Sequence, residues 1–184
     1  MLIRIEDPGS VSERKLMDIY AESNRENTGF FCPGEPDPAE AVKQVEQGFL
    51  NYLKNDFLTR EGNVLWVLEE DGTWVSALRT YRISDGLYYL EALETRPDKR
   101  RMGYGAALLK AVLSAMKETG GFRLCSCVGK RNEASLATHK RCGFSIVSEE
   151  GHDYLTNETD EGCYGLEYRY PDGASLENRS NRSK

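Results

Sequence analysis

Arg100, Arg101, Gly103 and Gly105 form a short run whose residue types suit the binding of a phosphate group. The run follows a strand-like segment, residues 87–95, and opens a long helix with an apolar face. A helix that starts at such a turn presents backbone N–H groups without intrahelical acceptors, and its dipole adds partial positive charge. The two adjacent arginines add full charges. The run therefore predicts a site for a ligand that carries phosphate.

Three known phosphate-binding patterns do not fit this run. A Walker A loop requires Gly-Lys followed by Ser or Thr, which the sequence lacks. A dinucleotide-binding fingerprint requires a third glycine where this chain has Leu108, and an acidic residue further on, where residues 122–127 supply none. A protein-kinase loop would be accompanied by His-Arg-Asp and Asp-Phe-Gly, which are also absent. One alternative stays open, in which the two glycines only let a helix pack closely.

Period and turn signals predict an α/β chain with one domain, residues 1–170, and a polar, flexible tail, residues 171–184. Ser10 with Glu13 reads as a capping box for the first helix. Asp37 and Pro38 are placed to cap and open the second helix. The expected helices begin at residues 10, 37, 103 and 132; an acidic loop spans 149–162, and the expected strands are 3–6, 64–69, 74–83, 87–95, 122–128, 144–148 and 164–170.

Composition and charge argue against several classes of protein. A net charge of −6 opposes general nucleic-acid binding, which needs a broad basic surface. No apolar stretch approaches a membrane span and the N-terminus has no signal-peptide pattern, so we expect no membrane association and a cytoplasmic location. The five cysteines have neither a disulfide framework nor zinc-ligand spacing. We therefore expect free thiols in a reducing compartment and no metal site.

Two segments of the chain resemble the motifs of one enzyme family. Residues 93–97, Leu-Glu-Thr-Arg-Pro, followed by Arg-x-x-Gly-x-Gly at 100–105, are similar to the core motif of the GNAT family of acetyl-CoA-dependent N-acyltransferases. Residues 132–144 are similar to the family's N-x-x-A…Y-x-x-x-G-F segment. The order of predicted elements, β-α-α-β-β-β-α-β-α-β-β, is also the family's. The resemblance implies a mixed, mostly antiparallel sheet of about seven strands, splayed at the central strands and flanked by about four helices.

The resemblance assigns the binding of acetyl-CoA to particular residues. The backbone of Leu93 and Thr95 would hold the pantetheine arm, and one N–H group would polarise the thioester carbonyl. Asn132 would hydrogen-bond the pantetheine amides. Backbone N–H groups would wrap the pyrophosphate where a side chain on glycine would collide with it. That loop comprises Arg100, which matches the family's first arginine or glutamine position, with Arg101, Met102, Gly103, Tyr104, Gly105 and Ala106.

The resemblance also implies direct transfer, in which a neutral amine attacks the thioester without a covalent acyl-enzyme. Glu91 lies two residues before Leu93 and would share its face of the strand, so it is the candidate base; a carboxylate that only binds substrate or faces solvent is the alternative. Some family members carry a base where this chain has Cys127, which leaves Glu91 or water. His139 stands where the family usually has the tyrosine that protonates the CoA thiolate. Imidazole can serve as that acid, or His139 only packs.

The expected function is transfer of an acetyl group from acetyl-CoA to a primary amine, either a small cationic amine or an amino acid. Aromatic and acidic residues in two loops, among them Phe30, Phe31 and Asp153, favour a cationic acceptor. Two alternatives stay open. One is acetylation of a protein N-terminus or lysine, and the other is a catalytically silent acyl-CoA-binding domain in which His139 marks the loss of the acid. A homodimer is among the states that the sequence leaves open.

Overall fold

The computed structural model describes residues 1–171, and its helices and strands follow the predicted order. The predicted tail lies outside the described residues apart from Pro171. In chain order the elements are β1 (Leu2–Ile5), α1 (Glu13–Glu26), α2 (Thr28–Phe31), α3 (Pro38–Asn55), β2 (Val64–Glu70), β3 (Thr73–Ser84), β4 (Leu87–Thr95), α4 (Tyr104–Lys117), β5 (Phe122–Gly129), α5 (Glu133–Arg141), β6 (Ser145–Ser148), β7 (Gly151–Asp153), β8 (Glu158–Asp160) and β9 (Cys163–Tyr170).

Seven of the strands form one sheet with the order β1-β2-β3-β4-β5-β9-β6. The β1–β2, β5–β9 and β6–β9 pairs are antiparallel, whereas β4 and β5 run parallel. The β4–β5 register covers residues 87–90 and 123–126, while β4 itself continues to Thr95. This mixed, mostly antiparallel sheet with its flanking helices confirms the predicted fold class. None of the helices in residues 1–171 is long and apolar enough to cross a membrane.

The described chain divides into two compact units, of which the first comprises Met1–Arg79 and Ala92–Leu108. Its core is formed by one face of α1, one face of α3 and the buried residues of β2 and β3. The α3 helix begins as predicted, because Pro38 occupies its first turn and the Asp37 carboxylate accepts the Ala39 N–H at 2.9 Å. The fully or nearly fully buried side chains of α1 and α3 are Leu16, Ile19, Tyr20, Ala41, Val45, Leu50 and Leu53.

The second unit comprises Thr80–Glu91 and the described chain from Leu109 onward. Its core packs the apolar side of α4 with residues of β5 and β9, including the fully buried Leu109, Leu124 and Leu166. The eight-residue register between β5 and β9 is the longest ladder recorded in this unit. Strand β6 pairs with β9, and β7 contacts both β5 and β9.

The start of α1 differs from the sequence prediction. Ser10 was predicted to cap the helix, but it lies in a separate 3-10 turn, Pro8–Ser10, where its hydroxyl donates to Asp7 Oδ2 at 3.2 Å. Helix α1 begins at Glu13 with Ser12 at the N-cap position, and Ser12 makes no side-chain capping bond. Proline at the first position of the turn favours the short 3-10 element, which uses the Ser10 side chain before α1 starts.

The predicted acidic loop at 149–162 is a β-hairpin instead. Strands β7 and β8 pair antiparallel, with His152 opposite Thr159. The turn between them is closed by the Asp153 carboxylate, which accepts the Leu155 N–H at 2.7 Å, and by Asn157 with φ of 62°. Asx-type turns of this kind form locally and need no apolar periodicity, which explains why the hydrophobic pattern gave no strand signal there.

Candidate active site

Residues 100–106, which we call the cradle loop, connect a 3-10 turn at Pro97–Lys99 to the start of α4. Arg101 and Gly103 both have left-handed backbone conformations, with φ of 63° and 85°. Left-handed residues in a tight turn direct neighbouring N–H groups into a concave, anion-binding arrangement. The N-terminus of α4 follows at Tyr104, so the helix dipole acts at the same place.

The two glycines of the cradle loop have different physical roles. A Cβ atom at Gly103 would meet nothing within 4 Å, so the space there is open and glycine is required by the positive φ. A Cβ atom at Gly105 would lie 3.3 Å from Thr95 Oγ1, so glycine there permits close approach to the end of β4. Close packing therefore accounts for Gly105 only. Gly103 leaves room beside the helix start for an anionic group.

The end of β4 is held by hydrogen bonds from other elements of the first unit. The Tyr20 hydroxyl donates to the carbonyl oxygen of Ala92 at 2.8 Å, and the Ser76 hydroxyl donates to that of Glu94 at 2.5 Å. Ala92 has φ of 51°, which interrupts the alternation of an extended strand. The expectation that Glu91 and Leu93 share a face assumed regular alternation, which Ala92 interrupts. The backbone near Leu93 and Thr95 is nevertheless held by the hydrogen bonds that Tyr20 and Ser76 donate to the neighbouring carbonyl groups.

The remaining side chains of the cradle loop lie in different surroundings. Arg100 contacts acidic residues: its guanidinium bonds to the Glu22 carboxylate, and Nη2 lies 3.7 Å from Glu94. Arg101 and Met102 are exposed. The Tyr104 hydroxyl donates to the carboxylate of Glu70, and Ala106 lies in the first turn of α4. The first unit thus brings together Leu93, Thr95 and Arg100–Ala106.

Glu91 lies in the second unit, where Tyr81 holds its carboxylate. The Tyr81 hydroxyl donates to Glu91 Oε2 at 2.8 Å, and the Tyr81 side chain is 3% exposed. The Tyr81 ring neighbours the Tyr89 ring at 6.4 Å, which in turn neighbours Tyr154 of the hairpin at 5.5 Å. A buried phenol that donates to a carboxylate fixes the orientation of that carboxylate.

The surroundings of Tyr89 and Cys127 are anionic. Burial is the main reason that the pKa of the Tyr89 phenol lies far above its ordinary value, and the Asp153 and Glu91 carboxylates raise it further. Burial likewise raises the pKa of the Cys127 thiol, with further increases from Asp160, Asp153 and Glu91. Negative charges from β4 and from the hairpin therefore act on the same two groups. This electrostatic environment stabilises a cation.

Asn132 occupies the N-cap of α5. Its Oδ1 accepts the Ser135 N–H at 3.0 Å, which satisfies one of the unbonded donors of the helix start. With Oδ1 engaged, the amide Nδ2 is the group through which this exposed side chain can donate to a ligand.

His139 is a buried, neutral histidine. His139 is 1% exposed. Burial lowers the pKa of its imidazole, and the hydrogen bond with the Ser135 backbone carbonyl raises the pKa by a smaller amount. Nδ1 lies 2.8 Å from that carbonyl oxygen, so Nδ1 carries the proton and donates. Nε2 is buried and has no hydrogen-bond partner among residues 1–171, while the ring packs edge-on against Phe144 at 5.0 Å. The second unit thus holds Glu91, Asn132 and His139.

The cysteines and acidic side chains form no metal centre in the described chain. Among residues 1–171, no group of three or more His, Cys, Asp or Glu residues is placed to hold a metal ion. All five cysteines are free thiols.

The comparison with family models identifies the family. The model of the acetyltransferase (GNAT) family matches residues 15–144, which is well over half of the chain and includes the cradle loop, Asn132 and His139. The chain belongs to the GNAT family. It is therefore an acyltransferase, as the sequence motifs implied. None of the curated proteins compared with the sequence matches it.

Solved structures of GNAT acetyltransferases share the fold. A PaiA N-acetyltransferase from Thermoplasma acidophilum, in complex with coenzyme A, has a TM-score of 0.63 and 15% identity over 92% of this chain and 99% of its own. An aminoglycoside 6'-acetyltransferase type Ii has a TM-score of 0.59 and 13% identity, covering 92% and 96%. A ribosomal-protein-alanine N-acetyltransferase from Brucella melitensis has a TM-score of 0.57 and 15% identity, covering 92% and 99%. At these identities the likeness shows the fold alone, and the last two proteins are named for different acceptors, an aminoglycoside and a ribosomal protein.

The structure adds residues around the site that the sequence reasoning did not single out. Tyr81, Ser76 and Glu22 each contact a candidate site residue or its backbone. The hairpin turn at residues 85–86 predicts that Tyr81 and Glu91 lie on adjacent strands, but nothing in the sequence indicates that their side chains meet. Glu22 lies far from the cradle loop in the sequence, and no pattern in the chain links the two.

Proposed function

We propose that the protein transfers the acetyl group of acetyl-CoA to a primary amine of a small cationic compound, that residues 1–170 form the catalytic domain, and that it acts in the cytoplasm. The observation that carries the proposal is the cradle loop. Left-handed Arg101 and Gly103 immediately precede α4, and open space lies beside Gly103. In a chain of the GNAT family, this is the arrangement expected for the pyrophosphate of a CoA thioester.

The proposed binding roles follow the family motifs. Backbone N–H groups of the cradle loop would bind the pyrophosphate, and the backbone of Leu93 and Thr95 would bind the pantetheine arm. The fixed strand end supports this, since Ser76 occupies the carbonyl of Glu94 and restricts movement of the intervening backbone. Asn132 would donate from Nδ2 to a pantetheine carbonyl because its Oδ1 caps α5.

The proposed chemistry needs one base and one proton source. The amine attacks the thioester carbonyl carbon as a neutral group, and a proton must leave its nitrogen. Glu91 is the candidate base, directly or through water, and Tyr81 orients its carboxylate. The C–S bond then breaks and the departing thiolate takes a proton. His139 is the candidate donor from Nε2, which carries a proton only in the imidazolium form because Nδ1 holds the proton of the neutral ring. The lowered pKa makes imidazolium scarce near neutral pH, so a water molecule is the alternative proton donor.

The choice of a cationic acceptor rests on electrostatics. The carboxylates that act on Tyr89 and Cys127 are Glu91, Asp153 and Asp160, and they come from three different strands. The rings of Tyr89 and Tyr154 lie 5.5 Å apart in the same unit and offer faces that attract cations. These three carboxylates would repel an anionic acceptor.

Thermal unfolding with added acetyl-CoA tests the proposed binding of acetyl-CoA. A ligand that binds only the native state stabilises it by about 2.7 kcal/mol at a concentration of 100 times Kd. We expect Tm to rise with acetyl-CoA and with CoA, and the rise to shrink in Gly103→Ala, whose side chain is strained at φ of 85°. Gly29→Ala, whose added Cβ meets nothing within 4 Å, is the control, and acetyl-CoA should raise its Tm by as much as it raises that of wild type. A Tm unaffected by millimolar acetyl-CoA would contradict the proposal.

A further inference from the structure

The Arg100 side chain links three elements of the first unit. Its guanidinium bonds to the Glu22 carboxylate on α1, and Nη2 lies 3.7 Å from the Glu94 carboxylate on β4. Nε donates to the carbonyl oxygen of Thr95 at 3.3 Å. Arg100 is also the first residue of the cradle loop, so these contacts join α1 and the end of β4 to the start of that loop.

The charges around Arg100 are already balanced by acidic groups. Glu94 is half-buried, and burial is the main cause that raises the pKa of its carboxyl, with further increases from Glu22 and Glu26 and a decrease from Arg100. One guanidinium therefore contacts two carboxylates, Glu22 and Glu94, and the charge of Glu26 acts on the second of them. In this arrangement Arg100 offers little net positive charge to a phosphate, which differs from the full charge that the sequence led us to expect there.

The loop that follows Arg100 needs an anchor. Arg101 has φ of 63°, a conformation that costs a residue with a side chain about 1 kcal/mol or more and persists only when its neighbours fix it. The planar guanidinium is well suited to this, because it makes several directed bonds with little loss of freedom per bond. Glu22 orients the guanidinium from outside the loop.

We propose that Glu22 is a positioning residue for acetyl-CoA: through the Arg100 guanidinium it holds the start of the cradle loop so that the backbone N–H groups face the pyrophosphate. This inference rests on the proposed binding of acetyl-CoA by that loop. Glu22 does not touch the substrate in this account. It acts through Arg100 alone, so its effect must disappear when Arg100 is removed.

The sign of the effect separates positioning from simple electrostatics. Acetyl-CoA is a polyanion, so removing a nearby carboxylate should strengthen its binding if only charge matters. If Glu22 positions the loop, Glu22→Gln must weaken binding instead. We expect the Kd for CoA to rise about two- to fivefold, which is the size expected for a partly exposed ion pair of this kind.

The experiment is calorimetric titration of CoA into wild type, Glu22→Gln, Arg100→Lys, Arg100→Ala and the double variant. Glu26→Gln is the control. Glu26 lies on the same helix as Glu22, and its charge also raises the pKa of Glu94. We expect Glu26→Gln to bind CoA as well as wild type or slightly better. Arg100→Lys keeps the charge but loses the planar guanidinium, so it should weaken CoA binding. In the double variant, Glu22→Gln should not raise the Kd beyond that of Arg100→Ala.

The outcomes separate this inference from the proposed function. If wild type does not bind CoA, the proposed function fails and the inference fails with it. If wild type binds CoA and Glu22→Gln binds it equally or more tightly, the inference alone is wrong. Should Glu22→Gln not fold, unchanged CoA binding by Arg100→Lys would overturn the inference by itself. In steady state, Glu22→Gln should raise KM for acetyl-CoA and leave KM for the amine unchanged.

Discussion

Glu91 and Tyr81 are the residues on which the proposed proton removal depends. The 2.8 Å bond from the Tyr81 hydroxyl holds one oxygen of the Glu91 carboxylate and so orients the group that would take the proton. We expect Glu91→Gln to lower kcat by about 10²-fold or more, within the range for loss of a general base. Tyr81→Phe keeps the carboxylate and loses only its orientation, so kcat should fall by several-fold, measured by steady-state thiol release.

Tyr88→Phe is the matched control for Tyr81→Phe. Tyr88 lies on the same strand as Glu91, and its ring packs edge-on against Phe122. Removing its hydroxyl should leave kcat unchanged. A wild-type kcat for Tyr81→Phe, or an equal loss for both variants, would show that Tyr81 does not position the base.

His139 gives a prediction about stability against pH. Its pKa is lowered in the folded protein, so between that value and about 6.5 the unfolded chain binds more protons than the native state. The free energy of unfolding therefore contains a contribution that is complete above about pH 6.5 and is lost as pH falls through the lowered pKa. Denaturant unfolding of His139→Phe should show a weaker loss of stability between pH 7.5 and 5.5 than wild type. An identical loss in both would mean that His139 is not buried as a neutral ring.

The β7–β8 hairpin is closely packed at Gly151. A Cβ atom on Gly151 would lie 2.2 Å from Cys127 Sγ and 2.7 Å from Cys163 Cβ. Something must shift to admit it, and overpacking of this kind typically costs about 1–3 kcal/mol. Gly151→Ala should therefore lower the free energy of unfolding by that amount in urea titrations, and Cys127→Ala in the same chain should recover part of the loss.

Gly48→Ala is the control for the hairpin. Gly48 lies within α3, and a Cβ atom there meets nothing within 4 Å, so alanine should stabilise the helix by about 0.5–1 kcal/mol. If Gly151→Ala is as stable as wild type, β7 does not pack against the two cysteines.

The elements that the sequence predicted well are those with strong local signals. Asp37 and Pro38 begin α3 as predicted, and β4 has the predicted bounds of Leu87–Thr95. The hairpin was missed because its turn is held by the Asp153 side chain and its strands are three residues each. Short strands of this kind show no periodicity to read. The left-handed Ala92 was also missed, since alanine carries no signal for positive φ.

The candidate site could be predicted only in part, because some of its residues are brought together by tertiary contacts. The cradle loop carries a motif, so Gly103 and its neighbours were found by residue type and spacing. Tyr81 and Glu22 were missed because they act through tertiary contacts that leave no local pattern. The buried environment of His139 is likewise set by α5 and Phe144 together and could not be inferred from its position in the sequence.

At the scale of the whole molecule, the family and the fold are established, and the property left to test is the charge of the acceptor amine. The net charge of −6 and the anionic surroundings of Tyr89 and Cys127 both favour a positively charged compound. Members of this fold family act on small molecules and on proteins, as the aminoglycoside and ribosomal-protein enzymes illustrate. A decisive comparison must therefore vary the charge of the acceptor while its reactive amine stays the same.

The most direct test of the account is thiol release from acetyl-CoA with acceptors of matched length, with the acetylated product confirmed by mass spectrometry. The acceptors are butane-1,4-diamine, which has a remote ammonium group, and 4-aminobutanoate, which has a remote carboxylate. We predict amine-dependent release of CoA with the diamine and a kcat/KM at least about tenfold lower with the amino acid, equivalent to about 1.4 kcal/mol. Equal or greater activity with 4-aminobutanoate, or no amine-dependent release from acetyl-CoA with either compound or with a lysine peptide, would contradict the account.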